Sequence, residues 1–265
     1  MPGLSYRPGD MPMHRLHPLL KLELLICFSL LVFGLPHYLS GMLLFVILLA
    51  GYRAAGLGFS FFWRKLRFII IFCVLIFLVH VLFVREGILL WQKDIAFIHL
   101  EVWSLGLGHG LLLVFRFLNI IGSSYLFVAT TDPNRLAYAL MQAGLPYRYG
   151  FMLITALRFI PLFFLELEQV RYAQMAKGID IEKVSLKNFF TAVRYLFLPL
   201  VLSALSKVDT LAISMESRAF GLYPQRSYLE KQPFTRRHRL AAAAVLILSL
   251  ALFLFLRRYS LESLF

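Results

Sequence analysis

Two stretches decide the fold of this chain: RFIPLFFLELEQVRYAQMAKG at residues 158–178 and LPLVLSALSKVDTLAISMESRAFG at residues 198–221. Each has the length and apolar content of a long helix, and each ends in a small residue, a cation and a second small residue. These triplets are Ala176-Lys177-Gly178 and Ser217-Arg218-Ala219, the second followed by Phe220 and Gly221. Small neighbours leave a cation accessible and let another backbone approach closely. We therefore expect both helix ends to dock into a partner protein.

A simpler interpretation of each cation is that it only stabilises its own helix end. A cation in the last turn of a helix gains ~0.3–1 kcal/mol from the helix dipole, and a following glycine is the usual stop. For one such end this interpretation is favoured, but two ends of the same pattern favour docking. A cation that enters an acidic groove makes hydrogen bonds worth ~1.5–3 kcal/mol. Arg218 can bond two acceptors at once, whereas Lys177 cannot.

The helices that lead to these ends are apolar on one side and polar on the other. Apolar residues recur at three- and four-residue steps after residue 201, while the serines avoid that stripe. Such helices are too polar to be surrounded by lipid and too apolar to be freely solvated. We expect them to lie beneath the membrane, against other subunits.

Prolines punctuate this section at Pro146, Pro161 and Pro199. A proline relieves helix hydrogen bonding locally, so these three are predicted flex points, with plain helix starts as the alternative. The sequence predicts one helix from Pro146 through Pro161 to Lys177. It also predicts a helix from residue 186 to about 197, capped by Ser185, and a separate helix that begins at Pro199.

The composition of the whole chain is that of an integral membrane protein. Of 265 residues, 60% are hydrophobic and 15% charged, and the mean hydropathy is +0.76; soluble domains are roughly 45–50% apolar and about 25% charged. The formal net charge is +13, but the basic residues lie in short clusters between apolar runs. Such clusters are typical of cytoplasmic loops and give no nucleic-acid-binding motif.

We predict an all-α membrane protein with about five transmembrane helices and a cytoplasmic-side group of long amphipathic coupling helices. The spans are predicted at residues 22–35, 41–52, 68–84, 105–129 and 240–256. Three domains follow: a polar lead with the first four spans (1–129), a cytoplasmic coupling-helix module (130–239) and a C-terminal span (240–265). The distribution of basic residues puts the N-terminus in the cytoplasm. The competing topology treats 150–165 and 187–205 as ordinary spans.

The chain contains no motif that would make it an enzyme. It has no GxxxxGK[ST] phosphate loop, no HExxH, no GxSxG and no Cys/His cluster with zinc spacing. Arg116 and Asn119 interrupt the fourth span. Because a bare cation in lipid is costly, Arg116 is expected to bond a carboxylate or helix carbonyls rather than to form a transport path. From the missing enzyme and zinc-site motifs, we predict no catalytic residue, no metal site and no cofactor bound by this chain.

Several blocks of the sequence resemble the transmembrane T component of energy-coupling factor (ECF) vitamin and metal transporters, the EcfT/CbiQ family. The blocks are YRPGDMPMHRLHPLLKL near the start, TTDPNRLAYALMQAGLP, ALRFIPLFFLELEQVRYAQMAKGID and AISMESRAFG. The resemblance covers most of the chain. It implies a multi-pass subunit of a prokaryotic cell membrane.

The resemblance also implies a role for each helix end. In that family two Ala-Arg-Gly-type motifs fit into grooves of two ABC-type ATPase subunits, the same or different, which bind ATP and Mg. Here the matching residues are Ala176, Lys177, Gly178, Ser217, Arg218 and Ala219, with Gly221 beyond them. This chain departs from the pattern at two positions. Lys177 stands where arginine is usual, which predicts a weaker or geometrically looser contact with that ATPase, and Ala219 stands where glycine is usual.

A small substrate-binding membrane subunit completes the assembly that the resemblance implies. It would rest on the apolar face of the coupling helices, which is expected to include Leu202, Leu205 and Met215. ATPase closure would move both helix ends, and the substrate subunit would topple to deliver a vitamin or metal ion. The alternative from a different class is a self-contained channel or secondary carrier, which predicts a polar path and internal repeats. A membrane enzyme is the third alternative.

Overall fold

A computed structural model of the chain describes residues 11–57, 59–95, 98–178, 189–222 and 235–262. The predicted Ser185 cap lies outside these residues, as do the first ten residues and most of the basic linker before the last helix. The elements in chain order are α1 Pro12–Arg15, α2 Pro18–Gly34, α3 Tyr38–Ala54, α4 Phe59–Phe83, β1 Leu89–Ile95, β2 Ile98–Trp103, α5 Ser104–Thr130, α6 Pro133–Gln142, α7 Tyr147–Ala176, α8 Phe189–Ser217 and α9 Arg236–Glu262.

The predicted all-α membrane class is confirmed, with one addition in the loop before α5. There β1 and β2 pair antiparallel as a two-stranded hairpin, with Gln92 opposite Glu101 and Ile95 opposite Ile98. By length and composition, four described helical stretches could cross a membrane: Ser104–Thr130, Tyr147–Ala176, Arg194–Ser217 and Arg236–Leu256. Tyr38–Ala54 and Phe68–Phe83 are shorter apolar stretches. Length and apolarity alone therefore do not separate α7 and α8 from the membrane spans.

The chain divides into two compact units. The first comprises Ser5–Ala143 and Pro233–Phe265, and contains α1 to α6, the hairpin and α9; the second comprises Gly144–Gln232, with Met1–Leu4, and contains α7 and α8. We call them the membrane unit and the coupling unit. Helix α6 falls in the first of these compact units, and the predicted domains at residues 1–129, 130–239 and 240–265 stay a prediction.

Helix α5 is the centre of the membrane unit, because α2, α3 and α4 all pack on it. Glycines in α5 allow close contacts with neighbouring helices. A methyl group on Gly106 would lie 2.9 Å from the carbonyl oxygen of Val84 and 3.2 Å from that of His80. A larger residue at Gly106 would therefore push α4 and α5 apart.

Polar side chains fix the α2–α3 pair against α5. Lys21 Nζ donates a 2.7 Å hydrogen bond to the carbonyl oxygen of Thr130, the last residue of α5. Arg116 Nη2 lies 3.4 Å from the carbonyl oxygens of both Phe33 and Leu35, where α2 ends. The expectation that Arg116 bonds helix carbonyls is therefore confirmed.

The capping and stop residues around α6 form the short helix that the sequence predicts. The Asp132 side chain accepts a 2.9 Å hydrogen bond from the backbone N–H of Asn134, and Pro133 takes the first helical position. Gly144, beyond the last turn, has a φ of 121°. This region of the second resemblance block therefore forms a short, well-capped helix.

Two predicted boundaries differ from the structure. Helix α4 begins at Phe59 rather than at residue 68, so Arg64, Lys65 and Arg67, which the sequence places in a loop, lie within its first turns. The separate helix at Pro199 is wrong, because α8 runs unbroken from Phe189 to Ser217 with Pro199 inside it. Pro199 leaves the carbonyl oxygen of Tyr195 without its helical donor, and the side chain of Gln174 on α7 donates to this oxygen at 3.2 Å.

Candidate docking site at two helix ends

Helices α7 and α8 pack side by side and antiparallel within the coupling unit. Near the C-terminus of α7, Gln174 contacts Tyr195 in the first turns of α8. Further along, Glu166 contacts Ser203. At the opposite end, the ring of Phe220 lies 4.6 Å from that of Phe151. Because both triplets stand at C-termini, the antiparallel pairing puts Lys177 and Arg218 at opposite ends of the pair.

The spacing of the two cations follows from helix geometry. Phe220, two residues after Arg218, packs on Phe151, and Lys177 lies 26 residues further along α7. At the 1.5 Å rise of an α-helix, the two ends are separated by roughly 40 Å. A single small ligand cannot contact both ends, whereas two separate protein surfaces can.

The first triplet is a helix end with its cation at the capping position. Helix α7 ends at Ala176, and the backbone N–H of Lys177 bonds the carbonyl oxygens of Gln174 and Met175. Gly178 follows with a φ of 80° and donates its N–H to Met175 at 2.9 Å. Left-handed glycine immediately after the cap is the usual way in which helices stop.

The second triplet has the same local geometry, although no glycine stands in it. The N–H of Phe220 donates to the carbonyl oxygen of Met215 and that of Ala219 to Glu216, both at 2.9 Å. These are the two hydrogen bonds of a Schellman motif. Ala219 takes the left-handed position with a φ of 52°, a conformation that costs an L-residue roughly 1–2 kcal/mol. The structure therefore holds alanine in the shape that the first triplet forms with glycine.

Both cations are free to meet a partner. Lys177 and Arg218 are exposed, as are the small residues on either side of each. Within the part of the chain that the structure describes, no ion pair involves either cation. Gly221 is also exposed, with a φ of 91°. The two helix ends thus present one unpaired cation each.

The three predicted contact residues of α8 do not share one environment. Leu202 and Leu205 are 60% and 56% exposed, and Met215 is half-buried. Val208, on the same stripe, is 53% exposed. The described chain therefore leaves uncovered an apolar surface on α8 that includes Leu202, Leu205 and Val208.

The three prolines occupy different positions. Pro146 is the N-cap of α7, which agrees with the predicted helix start. Pro161 and Pro199 lie inside α7 and α8, and neither interrupts its helix. Their role as flex points stays a prediction.

The structure adds a polar cluster that the sequence analysis missed. Glu166 accepts a 3.0 Å hydrogen bond from Ser203 Oγ and forms an ion pair with Lys207. The signal in the sequence was the i, i+4 spacing of Ser203 and Lys207, which puts them on one helix face, together with a carboxylate inside an apolar stretch. Among the described residues, no three His, Cys, Asp or Glu side chains are grouped so that they could hold a metal ion.

Comparison with known proteins places the chain in a family. Residues 9–229 match the CbiQ family, described as a cobalt transport protein. The chain is 30% identical over 261 residues to the energy-coupling factor transporter transmembrane protein EcfT of Bacillus subtilis, which covers 96% of this chain and 97% of that protein. It is 29% identical to EcfT of Streptococcus equi, with 94% of each chain covered, and 30% identical to EcfT of Listeria innocua, with 81% and 83% covered. The chain therefore belongs to the EcfT/CbiQ family of transmembrane components of energy-coupling factor transporters.

Proposed function

We propose that this chain is the scaffold and coupling subunit of an ATP-driven importer of a vitamin or a metal ion. In this role it catalyses nothing itself. Two ABC-type ATPase subunits bind ATP and Mg, and the chain transmits their motion to a small substrate-binding membrane subunit. The observation that carries the proposal is the pair of exposed cations, Lys177 and Arg218, which end two antiparallel helices in the same backbone geometry.

Each cation is suited to an acidic groove of one ATPase. Desolvated charge-assisted hydrogen bonds anchor a helix end more firmly than apolar contact alone, because their geometry is directional. The small neighbours Ala176, Gly178, Ser217 and Ala219 let the groove walls close on the cation. With roughly 40 Å between the cations, each ATPase meets one end. Gly221, after the second triplet, lets the chain leave the groove.

The substrate-binding subunit is proposed to rest on the uncovered apolar surface of α8. Exposed apolar patches of this kind are typical of interaction surfaces, and Leu202 and Leu205 are among its most exposed members. Met215, which is half-buried, would lie at the edge of the contact. In this arrangement the N-terminus and the coupling unit are cytoplasmic, where the ATPases find ATP.

Co-purification in mild detergent tests the proposal. A tagged chain is expressed with its candidate ATPase subunits as wild type, Lys177→Glu, Arg218→Glu and the double variant. We expect each single variant to lose part of the bound ATPase and the double variant to lose nearly all of it. Arg158→Glu is the matched control, because Arg158 is an exposed cation on α7 that belongs to neither triplet; it lies roughly 10 Å along the helix from Phe151 and roughly 28 Å from Lys177, and the variant should bind like wild type.

Two results would overturn the proposal. If the double variant retains the ATPases as well as wild type, the cations are only helix caps. If the purified chain in liposomes transports a solute without any ATPase, it is a self-contained channel or carrier.

A further inference from the structure

Lys21 is a buried cation of the membrane unit, and its contacts leave one of its donors unused. It lies in the first turns of α2 and is 5% exposed. Its Nζ donates to the carbonyl oxygens of Thr130, at 2.7 Å, and of His14, at 3.3 Å. A lysine ammonium has three donors, and no atom of the described residues accepts the third. A buried charge is usually paired with an opposite charge, so an anion is the partner that Lys21 lacks.

The charged groups near Lys21 do not supply that anion. Arg135, exposed on the first turn of α6, repels it. Glu23 is two positions away on α2, and residues at that spacing do not face each other. Within the described ranges, neither Lys21 nor Arg135 forms an ion pair. One anion close to both cations would replace their repulsion by attraction.

An apolar cavity lies directly beside Lys21. Its volume is about 170 Å³, and it is enclosed by α2, α3 and the last turns of α5. The hydroxyls of Ser123 and Thr130, which also line it, donate to carbonyl oxygens within α5. An apolar cavity of ~150 Å³ holds a molecule such as benzene, so there is room for part of a hydrocarbon chain. The apolar lining includes Leu24, Phe28, Ile47, Leu48, Leu126 and Phe127.

The position of the cavity decides what kind of molecule fits. Helices α2 and α3 both pack on α5 and meet near the turn that joins them, where Leu35 and Leu44 share one core cluster. The cavity lies towards the other end of this helix pair and is partly open, with Ile47 46% exposed. A helix, which is about 10 Å wide, is too large for it, and an extended peptide would leave backbone groups unsatisfied. A hydrocarbon chain has no such groups.

We propose that an anionic phospholipid binds here, with its phosphate between Lys21 and Arg135 and part of one acyl chain in the cavity. The phosphate oxygens accept the unused donor of Lys21 in a charge-assisted hydrogen bond. Basic pockets between transmembrane helices bind anionic headgroups elsewhere. The site lies on the side of the membrane where α2 begins and α5 ends. All its residues belong to the membrane unit, so the inference does not depend on the proposed function.

Native mass spectrometry of the full-length chain in detergent tests the site. The delipidated chain is mixed with phosphatidylglycerol or with phosphatidylcholine of the same acyl chains. We expect the first phosphatidylglycerol to bind about tenfold more tightly, because its headgroup carries a net negative charge. Lys21→Met should abolish this preference, whereas Lys21→Arg, which keeps the charge, should retain it. Arg85→Met is the matched control, because Arg85 is an exposed cation beyond the far end of α4.

A second variant tests the acyl-chain part of the site. Ile47→Trp fills the cavity from a partly exposed position and leaves both cations in place. It should weaken the binding of phosphatidylglycerol about fivefold. Inorganic phosphate should not displace the lipid, because it has no group that occupies the cavity. This arm also decides the matter if Lys21→Met fails to fold.

Three results would overturn the proposal. Equal binding of the two lipids by wild type would mean that no anionic lipid pairs with Lys21, and would favour a carboxylate of a partner subunit. An unchanged preference in Lys21→Met would place the selective site elsewhere. Displacement of the lipid by inorganic phosphate, or full binding by Ile47→Trp, would show that the cavity takes no part. No ATPase enters these measurements, so a failure of the proposed function would leave their outcome unchanged.

Discussion

Asn119 Nδ2 donates a 2.8 Å hydrogen bond to the carbonyl oxygen of Gly41, and the Asn119 side chain is fully buried. This contact joins the middle of α5 to the first turn of α3. With Arg116 one turn earlier on α5, it holds the α2–α3 turn in place. The two polar residues that interrupt the fourth span are therefore structural contacts of the membrane unit.

Asn119→Ala should destabilise the membrane unit by about 1–3 kcal/mol, because it removes a buried hydrogen bond and leaves a cavity. Thermal unfolding in detergent can be followed with a thiol-reactive dye, since Cys27 and Cys73 are both buried. Ser124→Ala is the control, because the Ser124 hydroxyl is exposed and bonds only within its own helix. Equal shifts in the two variants would contradict the structural role.

Lys207→Met should destabilise the α7–α8 pair more than Glu166→Gln does. Removing the lysine leaves a carboxylate that is 12% exposed with Ser203 as its remaining partner, which costs about 1–3 kcal/mol. Removing the carboxylate leaves Lys207 able to turn to solvent, for a loss below about 1 kcal/mol. Hydrogen exchange of α8 amides measures both. Faster exchange in Glu166→Gln than in Lys207→Met would reverse the expected order.

Ala219→Gly should strengthen the second helix end by up to about 1 kcal/mol, because glycine adopts the left-handed position without the clash of a Cβ. The reciprocal change, Gly178→Ala, should weaken the first end by a similar amount. Apart from the chain neighbours of Gly178, no atom of the described residues lies within 4 Å of the added methyl group, so the expected effect is one of backbone strain. Exchange of the Phe220 amide, which closes the Schellman motif, should slow about fivefold in Ala219→Gly. An unchanged rate would show that the alanine is not strained.

Lys177→Arg should tighten ATPase binding and Arg218→Lys should loosen it, each by about 1 kcal/mol or roughly fivefold in Kd. A guanidinium can bond a carboxylate through two donors, whereas an ammonium acts as a point charge. Titration of the detergent-solubilised chain with purified ATPase measures the change. Because each substitution keeps the charge, the result separates geometry from simple attraction. If neither substitution alters the Kd, the grooves recognise charge alone.

Local chemistry made several parts of this fold predictable. Asp132 and Pro133 predict the start of α6, and Gly178 predicts the end of α7. These signals can be read from the sequence because helix caps and left-handed glycines act within a few residues. The position of Arg116 against helix carbonyls followed from the cost of a bare cation in lipid. Composition and the family resemblance carried the overall class, whereas the docking role of the two triplets stays a prediction.

Long-range contacts account for what the sequence did not reveal. Pro199 is a helix breaker by local rules, but α8 continues past it, and the amide of Gln174, from another helix, donates to the carbonyl oxygen of Tyr195 that the proline leaves without a helical donor. The partners of Glu166 are likewise 37 or more residues away in sequence. The β-hairpin was not predicted, because the charged and aromatic residues before α5 suit a segment at the membrane interface as well as a hairpin.

The antiparallel course of α7 and α8 has a mechanical consequence. If a groove holds each end, equal displacements of both grooves translate the pair, whereas displacement of one groove alone turns the pair about the other end. A point halfway between the two ends then moves half as far as the displaced end, and its orientation changes as well. In this arrangement, closure of both ATPases would shift the apolar surface between the two ends, whereas closure of one ATPase would tilt it.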